Sequence, residues 1–145
     1  MSKDKNRLIA LHVRRGDNAS KMQFANVLTA KYFKSCLINF DLKQSEILVF
    51  SDDIDWCKIN FKDFPTNNIT YVNESDPVVS LRMMSLCDDF ILSPSTFSWW
   101  GAWLSIRNDK KVVVPIPYHQ ESSDIWKQLV GHDWIEMPAD FETPS

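Results

Sequence analysis

The stretch DPVVSLRMMSLCDDFILSPSTFSWWGAWLS, residues 76–105, decides the fold class of this chain. Asp76-Pro77 is a helix start: a carboxylate that can accept a first-turn N–H, then a proline whose missing donor costs nothing at that position. Val78, Leu81, Met84 and Cys87 follow at helical spacing and are expected on one side of that helix. Residues 88–93 read as a short strand. Ser95 to Ser105 then predicts an aromatic helix with Ser95 as its cap, and Trp99 and Trp103, four apart, are expected to pack on the sheet while Trp100 turns away. Helix, strand and helix thus alternate within one short stretch.

The same alternation extends outward. RLIALHV at 7–13 is an apolar, β-branched run that stops at the polar segment Arg14 to Ser20. Helical spacing from Asn26 to Phe40 precedes EILVFS at 46–51, a second strand. Asp53 to Phe61 predicts a short helix capped by a carboxylate, Pro65 and Asn67-Asn68 force a loop, and ITYV at 69–72 is a third strand. KVVVP at 111–115 is a fifth strand, Asp124 to Val130 a last helix, and the tail after Trp134 a strand remnant or an arm. Apolar strands separated by helices predict an α/β domain, a Rossmann-like parallel sheet with helices on both faces, spanning residues 1–145 as one unit.

Composition narrows the chemistry. The chain has 145 residues, 44% hydrophobic and 24% charged, which suits a single globular domain. A formal charge of −3 provides no positive field for nucleic acid, so none is expected as a partner. Only three glycines occur, too dispersed for a glycine-rich dinucleotide turn or a P-loop. Three cysteines without C-x-x-C spacing point to buried thiols in a reducing compartment. No apolar run reaches the length of a membrane span, and Met1 to Arg7 has no signal-peptide character, so a cytoplasmic location is expected.

In an open parallel sheet the ligand site lies beyond the carboxyl ends of the strands. The loops there carry HVRRGD, SDD, SPSTFS and PIPYHQ. Arg14 and Arg15 offer planar forks suited to phosphate; being adjacent in an extended segment, one can face the crevice and the other the protein, where Asp17 is a candidate partner. Ser95, Thr96, Phe97 and Ser98 open a helix where unpaired N–H groups favour an anion, although Ser95 can equally be an ordinary cap. Asp52 and Asp53 suit a nucleoside or a helix cap better than a metal, and Asp53-x-Asp55 is too short a pattern to argue for one. His12 contacts the ligand if it points inward and is a core histidine otherwise. The tripeptide Arg15-Gly16-Asp17 and the sequon at Asn73-Glu74-Ser75 are of a length that recurs by chance.

HVRRGD at 12–17, FSDD at 50–53 and the block at 80–105 together resemble the inverting α-1,2-fucosyltransferases of glycosyltransferase family 11. The likeness covers roughly residues 7–118. It implies the carboxyl-terminal, donor-binding half of a GT-B type enzyme, with the amino-terminal acceptor half absent. It also implies GDP-fucose as donor substrate, a galactoside 2-hydroxyl as acceptor, inversion at the transferred carbon, and no metal or other cofactor. By the resemblance Arg14 or Arg15 neutralises the pyrophosphate, with Asp17 as the candidate base. Ser95 and Thr96, with Phe97 and Ser98 beside them, hold phosphate, and His12, Asp52 and Asp88 serve the guanosine side. Two positions depart from the family pattern: Asn18 stands where an aromatic residue often follows, and Pro94 stands where asparagine is usual. The alternative is a nucleotide-sugar binding module with no catalysis of its own. Association with a membrane surface is expected only through parts not present.

Overall fold

In a computed structural model of the chain, residues 6–15, 27–116, 130–131 and 133–142 are described. The elements run β1 (Arg7–Val13), α1 (Ala30–Cys36), β2 (Ser45–Ser51), α2 (Ile54–Asn60), β3 (Ile69–Tyr71), α3 (Pro77–Ser85), β4 (Asp89–Ile91), α4 (Thr96–Trp103), β5 (Val112–Ile116) and β6 (Ile135–Pro138). All six strands are parallel, in the order β3-β2-β1-β4-β5-β6. Chain order reverses direction between β1 and β4. Because parallel crossovers are right-handed, that reversal sends α1 and α2 to one face and α3 and α4 to the other.

Each face has its own core. Ile9, Leu11 and Val13 of β1 pack with Tyr32, Phe33, Cys57 and Phe61 on the α1/α2 side. Ala10, Phe90, Leu92 and Val114 pack with Met84 and Ala102 on the α3/α4 side. Strands buried on both faces must be apolar almost throughout, which is why they read as continuous runs rather than alternating ones. All three cysteines are free and buried, and burial pushes the thiols of Cys36 and Cys87 up to about 12.

Caps fall where carboxylates and hydroxyls were expected. Asp53 accepts the Trp56 N–H at 3.1 Å and Asp76 the Val78 N–H at 2.9 Å. Three expectations are corrected, and that of a strand remnant or an arm after Trp134 is met. The first helix begins at Ala30 rather than Asn26, because Leu28 bridges Phe141 and the Thr29 N–H donates to the Asp140 carbonyl, holding residues 27–29 extended. The tail is a full strand, β6, whose end supplies that arm. Val78 is exposed; the buried residues of α3 are Ser80 and Met84, and Cys87 is buried just past its end. The tryptophans of α4 do not form its sheet face. Ser98, Gly101 and Ala102 do, since α3 and α4 approach so closely that a Cβ on Gly101 would lie 2.7 Å from Met84 Cε. Trp100 and Trp103 are half exposed, with Trp103 against Trp134 at 5.5 Å. The helix expected at 124–130 lies outside the described residues save Val130.

At the amino ends of the strands, Arg7 donates twice to the buried Asp89, at 2.8 and 2.9 Å, and to the Asp109 carboxylate at 2.9 Å and its carbonyl at 3.3 Å. Asp89 also accepts the Lys111 N–H at 2.9 Å. Among the described residues, no helix is long and apolar enough to cross a membrane.

Candidate functional site

Strand geometry divides the two adjacent arginines. Side chains alternate along β1, so Ala10 and His12 face α3 and α4 while Leu11 and Val13 face α1 and α2. The alternation carries past the strand end. Arg14 follows His12 into a cavity at the carboxyl rim. Arg15 follows Val13 to the other face, where it is buried. Its guanidinium stacks on Trp56 at 3.9 Å and donates to Glu142 at 2.7 and 3.4 Å, with Asp53 at 4.0 Å. Thus Arg15 fastens the carboxyl-terminal arm, and among the described residues the acidic partners of its guanidinium are Glu142 and Asp53. Asp17, the partner expected for it, lies outside the described residues.

The cavity is about 580 Å³, ordinary for a small-molecule site. His12 and Arg14 form its inner wall and Phe50, Ser51 and Asp52 the edge from β2. Val72, Glu74, Ser75, Pro77 and Ser80 continue the lining from the end of β3 and the start of α3, and Phe97 of α4 completes the enclosure. Its position beside the β1/β4 reversal is where such sheets bind ligands.

A short polar ladder joins the first and fourth loops. The Arg14 N–H donates to Ser93 Oγ at 3.3 Å, Ser93 Oγ donates to the His12 carbonyl, and the Ser93 N–H donates to Ser98 Oγ at 3.1 Å. Ser98 Oγ in turn meets His12 Nδ1, and the imidazole lies against Phe97 with centroids 5.1 Å apart. His12 and Arg14, at the end of β1, therefore meet the Ser93–Ser98 segment at one rim. Burial, together with the nearby Arg14 charge, pushes the His12 pKa down to about 3, so the ring is neutral near pH 7.

Asp52 is a positioning group here. One oxygen accepts the Arg15 N–H at 2.9 Å and the other lies 3.6 Å from Arg14 Nε. Among the described residues that Nε has no hydrogen-bond partner, whereas the rest of the guanidinium is part exposed toward the cavity. Asp53 and Asp55 belong to the cap and first turn of α2. Among the described residues, no group of three or more His, Cys, Asp or Glu side chains is placed to hold a metal.

The remaining sequence candidates separate. Ser95 is buried and caps α4, accepting the Phe97 N–H at 3.1 Å. Thr96 is exposed and is not among the residues lining the cavity. Ser98 is fully buried behind His12. Asp88 is not at this site: it precedes β4 and so sits at the opposite rim, accepting the Leu8 N–H at 2.8 Å and pairing with Arg107 at 3.1 Å. Glu74, Ser75 and Ser80 were missed by sequence reasoning. The rule that placed the other loops, carboxyl end of a strand followed by a helix start, also places Asn73-Glu74-Ser75, which had been weighed only as a sequon.

Arranged this way, the cavity offers among the described residues one cation, a neutral imidazole and two carboxylates, Asp52 beside Arg14 and Glu74 apart from it, between apolar walls of Phe50, Val72 and Phe97. A profile described as glycosyl transferase family 11 matches residues 2–137. The O-antigen biosynthesis glycosyltransferase WbnK of Escherichia coli is 39% identical over 136 residues, 88% of this chain and 44% of that protein. An alpha-1,2-colitosyltransferase of Escherichia coli is 27% identical over 119 residues, 77% of this chain and 41% of that protein. The crystal structure of the fucosyltransferase NodZ from Bradyrhizobium aligns with a TM-score of 0.47 at 14% identity, covering 68% of this chain and 36% of that one. The chain spans less than half the length of the curated relatives it matches.

Proposed function

The chain belongs to glycosyl transferase family 11, and from that premise we propose that the carboxyl-rim cavity is the donor site for transfer of fucose from GDP-fucose to a galactoside 2-hydroxyl with inversion. The observation that carries the proposal is the placement of Arg14, alone of the arginine pair, on the cavity wall beside neutral His12. A diphosphate leaving group accumulates negative charge as its bond to the sugar breaks, and a fixed guanidinium at that point favours the transition state over the ground state. Arg14 meets that need at the inner wall. Glu74 lines the cavity from the end of β3, its carboxylate oriented by the Asp76 N–H at 3.0 Å. Guanine presents two neighbouring N–H donors that suit one carboxylate, so the base is assigned to the Glu74 side and the pyrophosphate to the Arg14 side. Departure of GDP from one face of the sugar leaves the opposite face for the acceptor hydroxyl, which gives inversion. Asp17, three residues beyond Arg14, is proposed as the base that takes the hydroxyl proton, from its place in the sequence. The mechanism proposed assigns no step to a metal or cofactor.

The alternative reading is a donor-binding module without turnover. Calorimetry with GDP, UDP and ADP tests the site, and GDP release with and without a galactoside tests transfer. GDP is expected to bind at least tenfold more tightly than the other two. Binding without stimulated release would select the module reading; equal affinity for all three would overturn the assignment of the base, and no binding the donor site itself.

A further inference from the structure

The buried hydroxyl behind His12 has a proton to place, and only one arrangement places it well. Ser98 Oγ is fully buried and accepts the Ser93 N–H at 3.1 Å. Its other partner among the described residues is His12 Nδ1. Were Nδ1 to carry the ring proton, the hydroxyl would accept twice and its own hydrogen would be left in a dry interior without an acceptor, a costly state for a polar group. When the hydroxyl instead donates to Nδ1, every group in the ladder is satisfied. A neutral imidazole that accepts at Nδ1 must carry its hydrogen on Nε2. The ring lines the cavity, and among the described residues Nε2 has no hydrogen-bond partner.

We infer that Ser98 is a positioning residue that fixes His12 as a neutral Nε2–H donor facing the cavity, directed at a phosphate oxygen of the donor beside Arg14. The tautomer follows from the ladder alone; the phosphate as its target rests on the donor-site reading above. A neutral donor is the fitting companion for Arg14, because a second cation at this distance would repel the first, and burial keeps the ring uncharged. Ser93 supports the same alignment from the backbone side through its bond to the His12 carbonyl, and Phe97 limits rotation of the ring. Ser98 touches no ligand. It acts by deciding which nitrogen bears the hydrogen, a role distinct from the phosphate contact its motif suggested.

Long-range proton–nitrogen NMR of the 15N-labelled chain reads the tautomer directly, with His12→Gln assigning the signals. The expected ligand-free spectrum at neutral pH has a protonated Nε2 and an unprotonated Nδ1. A protonated Nδ1, or an imidazolium, would overturn the inference without need of any variant. Ser98→Ala is expected to yield mixed tautomers and to weaken GDP binding about tenfold, the effect of one charge-assisted hydrogen bond. Unchanged tautomer ratios in that variant would also overturn it. Addition of GDP is expected to shift Nε2 and not Nδ1; GDP that binds while Nε2 stays still would contradict the phosphate contact. If GDP does not bind at all, the donor reading and that contact fall together, while the tautomer stands or falls on the ligand-free spectrum.

Discussion

The two rims of the sheet are both rich in charge, and they differ in whether that charge is spoken for. At the amino rim Arg7, Asp88, Asp89, Arg107 and Asp109 form a closed set, each bonded to another member or to strand backbone within 2.8–3.4 Å. Hydrogen bonding to Asp89 holds the Arg7 guanidinium above its ordinary pKa even against the cost of burial. At the carboxyl rim Arg14 has its nearest carboxylate among the described residues at 3.6 Å, and among them its Nε is without a hydrogen-bond partner. His12 keeps one ring nitrogen free of protein partners among the described residues. Saturated charge secures strands; charge with spare bonding capacity, enclosed by apolar walls, is what a ligand can complete. Within the carboxyl rim the two arginines differ in where they face: the terminal nitrogens of Arg15 are taken by Glu142 and its guanidinium stacks on Trp56, while Arg14 lines the cavity.

The largest expected effect follows from Arg14. Arg14→Ala is predicted to weaken GDP binding about a hundredfold, near 2.7 kcal/mol, with the thermal midpoint unchanged, because it removes charge-assisted bonds and little packing. Calorimetry and a melting curve on the same sample check both halves. At the other rim the pattern inverts. Arg7→Met should cost about 2 kcal/mol in denaturant unfolding, below the value for a fully buried pair because water reaches the guanidinium, and leave GDP affinity unaltered.

Acid sharpens the comparison from the His12 side. Its folded pKa of about 3 lies below the unfolded value near 6.5, so the unfolded chain takes up a proton that the native one refuses. The stability held by the neutral ring is complete above pH 6.5 and is lost as pH falls toward 3, at up to about 1.4 kcal/mol per pH unit. His12→Gln should flatten that slope in unfolding measured from pH 7 to pH 4; an unchanged slope would show that His12 titrates normally. Within the carboxyl rim the smallest effect on binding belongs to Arg15: Arg15→Met should lose about 2 kcal/mol of stability, because a largely buried pair with Glu142 and the Trp56 stack are broken, while changing GDP affinity less than threefold. A larger loss of affinity for Arg15 than for Arg14 would reverse the assignment of the two faces.

Much of the fold was legible because strands buried on both sides leave no polar interruption, and because Asp53, Asp76 and Ser95 are helix caps with hydrogen-bonding reasons. The strand order was not, since it depends on which way each crossover turns. Aromatic size misdirected the reading of α4: contact with α3 is set by Ser98, Gly101 and Ala102, whose smallness lets the helices approach. For the site, the loops were found but the side-chain parity was not. Choosing Arg14 over Arg15 needs only the period-two rule, once His12 is known to face α4. Asp88 was misplaced for the same kind of reason: a residue before a strand sits at the opposite end from one after it. Glu74 follows a three-residue strand, too short to announce its rim.

The structure of the chain with GDP bound tests the central claim most directly. The account predicts the diphosphate at the carboxyl rim on the α3/α4 face, within hydrogen-bond distance of Arg14 and His12 Nε2, with guanine toward Glu74. Phosphates found against Arg15 and Trp56 on the other face, or at the amino rim beside Arg7, would contradict it.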